Sequence, residues 1–95
     1  MKYIHTVAIS PNGKYVALGH LGGSITLWET ATTDDDGKAG FGSYLSTIWN
    51  GNGVDSIGQL EFLPNSTTLA FSHIGTWALH LRDIHTGMQN KRKSN

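Results

Sequence analysis

Apolar and polar positions alternate with a period of two over short stretches. Val16–His20 reads VALGH and Ser24–Trp28 reads SITLW, the pattern of half-buried strands. Turn signals separate such stretches: Pro11-Asn12-Gly13, Gly22-Gly23, Asn50-Gly51-Asn52-Gly53 and Pro64-Asn65-Ser66. The pattern predicts strands over 3–9, 15–20, 24–29, 44–49, 57–63, 67–73 and 77–84. Both sides of several strands are partly apolar, as in sheets that stack face to face. No long stripe at helical spacing competes with this reading.

The pattern also repeats. SPNGKYVALGHLGG (Ser10 to Gly23) aligns with LPNSTTLAFSHIGT (Leu63 to Thr76), placing Pro11 on Pro64, 53 residues on. Asn12 falls on Asn65, Ala17 on Ala70, His20 on His73 and Gly22 on Gly75. The apolar positions follow: Ile4 on Ile57, Val7 on Leu60, Ile9 on Phe62, Val16 on Leu69, Leu18 on Phe71. One inserted residue near Trp77 then puts Ile25 on Leu79, Leu27 on Leu81 and Glu29 on Asp83. The sequence reads as a duplication. Residues 1–29 hold three strands of the first unit, 30–43 form an acidic and glycine-rich loop, and 44–87 add its outer strand and the second unit. The polar, basic tail covers 88–95.

Composition narrows the function classes. The 95 residues include 12 glycines and 2 prolines, and charged residues make up only 15%, against about 25% in an average soluble domain. Seven basic residues balance seven acidic ones, so no surface field advertises nucleic acid or membrane. There is no cysteine, hence no thiol nucleophile or thiolate metal site. The start MKYIHTVAISPNG lacks a signal-peptide core, which points to the cytoplasm or nucleus.

The SPNG turn, the glycine turn and the Trp28-Glu29 ending, followed by a second unit ending in Leu81-Arg82-Asp83 and Thr86-Gly87, resemble the WD-repeat β-propeller family. The resemblance covers nearly the whole chain outside the 30–43 loop and the tail. It implies an all-β fold of antiparallel four-stranded propeller blades, about two of them, the second lacking a clear outer strand. Departures are plain. No histidine precedes the second unit's first strand, Gly22 and Gly75 stand at the turn-Asp positions, and Leu18 and Phe71 replace the usual Ser or Thr. These changes predict that the polar network tightening such blades does not form. Propellers use about 4–8 blades, so two leave faces open to self-association or to additional blades that close the propeller.

Candidate chemistry is sparse. His80 and His85 lie five apart, and no histidine pair has a zinc spacing. Ser72, His73 and Asp83 compose a hydrolytic trio only on paper, since no Gly-x-Ser-x-Gly elbow is present. Asp34-Asp35-Asp36-Gly37 lacks the alternating ligands of a calcium loop, and Asn65-Ser66-Thr67, a glycosylation triplet, is more simply a turn. No cofactor is implied and no catalytic constellation stands out, so the chain reads as a non-enzyme.

The resemblance instead implies a scaffold for a protein or peptide partner. An alternative is a small two-bladed carbohydrate-binding lectin that assembles as an oligomeric propeller. In either case the turns after the second and fourth strands share one rim, collecting His20, Trp49, Asn52, Asp55, His73 and Trp77 as the candidate partner-binding residues, with Leu21 and Asn50 beside them. Aromatic, amide and imidazole groups mix there, and such residues serve as interface anchors. Trp49 is expected half exposed at its strand end, available to a partner.

Overall fold

A computed structural model describes residues 3–30, 42–76 and 78–85. They form seven strands: β1 (Ile4–Ile9), β2 (Tyr15–His20), β3 (Ile25–Glu29), β4 (Tyr44–Trp49), β5 (Ile57–Phe62), β6 (Thr68–His73) and β7 (His80–Asp83). Each expected strand is present, and most ends agree within a residue. The last starts at His80 rather than 77. Trp77, most of the acidic loop with Asp34 to Asp36, the Thr86-Gly87 pair and the tail lie outside the described residues.

The fold is all-β, with two antiparallel sheets in the orders β1-β2-β3-β4 and β5-β6-β7. Their registers are copies of one another. Ile4 pairs with His20 and Thr6 with Gly19, skipping His5. Ile57 pairs with His73 and Gln59 with Ser72, skipping Gly58, which is the same irregularity 53 residues on. Tyr15 pairs with Glu29 and Val16 with Trp28. Thr68 pairs with Asp83 and Leu69 with Arg82, so the third strand runs 54 residues on, as the single insertion requires. The turn bonds repeat too: Gly13 N–H donates to the Ser10 carbonyl, and Ser66 N–H to that of Leu63.

Both Pro-Asn turns use the asparagine side chain in place of backbone partners. Asn12 Oδ1 accepts from Lys14 N–H, and Asn65 Oδ1 from Thr67 and Thr68 N–H. The residue after each asparagine takes positive φ, Gly13 at 76° and Ser66 at 64°. Glycine does this freely, whereas serine does so at a steric cost.

The sheets stack through opposite faces. From the first come Ala8, Ala17, Ile25, Leu27 and Ile48; from the second come Leu60, Phe62, Leu69 and Phe71. Small residues on β1 and β2 let the bulky face of the second sheet approach. A Cβ on Gly19 would stand only 2.6 Å from Thr6 Cγ2 and 2.9 Å from Ile57 Cγ2. Phe71, Ile25, Leu27 and Leu69 are fully buried, and each such side chain contributes about 1.5–3 kcal/mol. β5 packs along β1, where the Ile57 carbonyl can only accept, so His5 donates to it through Nδ1 at 2.8 Å.

Candidate functional site

One rim of the stacked sheets is assembled by the connections Leu21–Ser24 and Asn50–Ser56 and by Ile74–Thr76 and Ala78–Leu79 after β6. Gly53 N–H donates to the Gly22 carbonyl at 2.9 Å, and Gly51 N–H reaches Ser24 Oγ at 3.4 Å. The two loops touch backbone to backbone. A Cβ on Gly51 would fall on the Gly22 carbonyl, and one on Gly23 would lie 2.5 Å from the Asp55 carbonyl. Glycine at 23 and 51 is therefore a requirement of close approach, beyond turn geometry.

Asn52 organises its own loop. Its Oδ1 accepts from Val54 and Asp55 N–H at 2.8 and 3.0 Å, while its Nδ2 donates to Asp55 Oδ2 at 3.1 Å. That arrangement ties down the Asp55 carboxylate in the lining of a cleft of about 300 Å³. Trp49, Asn50, Asn52, Asp55, His73 and His80 line it, with Thr76 and Ala78. Trp49 meets Phe71 edge-on at 5.1 Å and His80 at 4.8 Å, and the Arg82 guanidinium sits 5.4 Å from its ring centroid. Phe71 and His80 stack at 5.2 Å. The ring is thus half-buried against the second sheet, joining the sheets, with the Arg82 guanidinium over the ring.

Four of the six expected rim residues, Trp49, Asn52, Asp55 and His73, share this cleft. His20 does not. It is 6% exposed and turns to the other face of the first sheet, where its Nε2 lies 2.8 Å from Thr26 Oγ1. Trp28 Nε1–H donates to that same oxygen at 3.0 Å. The expectation that no polar network forms is therefore corrected. Thr26 sits on the neighbouring strand, two residues before Trp28, and supplies the hydroxyl that Leu18 lacks. The second sheet has His73, His80 and Arg82 at the trio's positions and Phe71 at that of Leu18, and all four turn to Trp49 instead. Trp77 lies outside the described residues.

His80 and Arg82 escaped the sequence reading as site residues, since His80 is read there only against His85. Their signal was the repeat itself, which sets them at the positions of Thr26 and Trp28. Ser72 and His73 are adjacent on β6 and point to opposite faces, so the paper trio with Asp83 does not converge. Among the described residues no three His, Asp or Glu side chains gather closely enough to hold a metal. None of their helices is long and apolar enough to cross a membrane. No family model matches this chain, and no curated protein or solved structure matches it either.

Proposed function

We propose that the chain is a non-catalytic interaction module of WD-repeat type, two degenerate blades presenting one rim to a protein or peptide. The observation that carries this reading is the cleft between the sheets, where Asp55 stands beside Trp49, His73 and His80. Its volume of about 300 Å³ is at the lower end for ligand pockets, enough for one or two side chains. A carboxylate and aromatic rings in one lining favour a basic or aromatic anchor residue. The four-stranded order, the shared register and the stacking of one sheet's face on the opposite face of the next support the blade reading.

The lectin alternative needs an open ring face for a sugar to stack on. Trp49 has Arg82 over its ring and His80 beside it, which disfavours that reading. The test is selection of displayed peptides on the immobilised chain, followed by binding to Asp55→Asn, His73→Ala and Asp35→Asn variants. Selected peptides should lose at least about tenfold in affinity with the first two, the size expected of an anchor contact, and nothing with the third. Peptides indifferent to the cleft variants, or selective binding on a glycan array, would refute the proposal.

A further inference from the structure

The two sheets expose faces that correspond to the two faces already buried between them. Val7 and Ile9 are 52% and 62% exposed, while their repeat counterparts Leu60 and Phe62 are buried against the first sheet. In the other direction, Leu79 and Leu81 are 69% and 61% exposed, and their counterparts Ile25 and Leu27 are fully buried. Each free face therefore carries the positions that, in the other sheet, make the internal interface.

The match extends to shape. Ile57 packs on Gly19, a Cβ on which would stand 3.0 Å from Ile57 Cβ. Advanced by one repeat, Gly19 becomes Ser72, and Ile57 set back by one repeat becomes Ile4. Ile4 is exposed, and Ser72 lines an unfilled hollow of about 310 Å³ with Gln59, Ala70 and Leu79. A side chain without a seat and a seat without a side chain occupy equivalent places. Glu61, exposed on edge strand β5, replaces Ala8 on this face and lines the same hollow, as does Thr6 of the first sheet.

We propose that a second copy of this chain docks head to tail, the free face of its first sheet on the free face of the second sheet here, with Ile4 of one copy seated against Ser72 of the other. The contact is heterologous: every copy keeps one unused face of each kind, so association continues beyond a dimer into a ring or an open chain. The surface is separate from the Trp49 cleft, so neither proposal depends on the other.

The test uses the full chain and two face variants, Ile9→Lys and Leu81→Lys. Sedimentation should show wild-type mass rising with concentration past twice the 10.3 kDa monomer. Each variant alone should associate at least about tenfold more weakly, because docking would bury an unpaired charge. Mixed together, the two variants retain one intact pair of faces and should stop at a dimer. Because the chain has no cysteine, Ile4→Cys and Ser72→Cys chains mixed under mild oxidation should give the mixed disulfide in preference to either homodimer. A monomeric wild type at every accessible concentration would overturn the proposal. So would loss of association in only one face variant, a mixture that stays monomeric, or cross-linking that favours like with like.

Discussion

The backbone N–H of Asn12 donates to Ser66 Oγ at 3.0 Å, tying the first turn of one repeat to the first turn of the other. Ser66 stands where the first repeat has Gly13, and both hold positive φ. The serine accepts a backbone cost of about 1–2 kcal/mol and returns a hydrogen bond worth about 0.5–1.5 kcal/mol at a buried site. Ser66→Ala keeps the cost and loses the bond, so it should lower stability by about 1–2 kcal/mol in urea unfolding. Ser66→Gly loses the bond but relaxes the backbone, and should stay within about 0.5 kcal/mol of wild type. A glycine variant as weak as the alanine variant would show that strain at this position is negligible.

The legible part of this fold was the part that a one-dimensional pattern encodes. Period-two alternation and Asn-Gly or Pro-Asn turns placed the strands, and the 53-residue offset anticipated the paired registers of β1-β2 and β5-β6. Contacts between sheets were not legible, because they depend on which face of each strand turns inward. His20 and His73 occupy one repeat position, yet one closes on Thr26 and the other opens on the cleft. The difference comes from what faces each sheet: Trp49 packs against the second, whereas among the described residues no second sheet stacks on the corresponding face of the first. Trp49 likewise read as a strand-end ring free for a partner, and its contacts with Phe71, His80 and Arg82 come from a sheet distant in sequence.

Ser46 marks an imperfection in the interface between the sheets. It pairs in register with Leu27 and is buried, and its Oγ has no hydrogen-bond partner among the described residues. An unsatisfied buried hydroxyl costs about 1–3 kcal/mol. Ser46→Ala should therefore raise stability by about 1 kcal/mol, read as a higher urea midpoint at unchanged slope. A destabilised variant would mean that the hydroxyl has a partner in solution.

The loop approach at the rim admits no side chain at position 51. Gly51→Ala would place its Cβ on the Gly22 carbonyl, which is backbone and cannot swing aside. The two loops must part, breaking the Gly53-to-Gly22 hydrogen bond. A loss of about 2–4 kcal/mol is expected, the range of overpacking with an added broken bond. Gly13→Ala, in open space, should cost only the positive-φ penalty of about 1–2 kcal/mol. Equal losses in the two variants would show that the close approach is not maintained in solution.

Thr26 holds two aromatic side chains through one oxygen. Trp28 Nε1–H is a donor only, so Thr26 Oγ1 accepts from it while exchanging a second hydrogen bond with His20 Nε2. Thr26→Val keeps the shape and the β-branched strand preference but leaves the imidazole and indole nitrogens short of this partner. The expected loss is about 1–3 kcal/mol, the cost of removing two hydrogen bonds from a largely buried site. Thr26→Ser keeps the oxygen and loses one methyl, so its loss should be nearer 1 kcal/mol. Thermal melts of the two variants separate the bond from the packing. If valine were the milder change, apolar packing rather than the shared hydroxyl would be what holds this face of the first sheet.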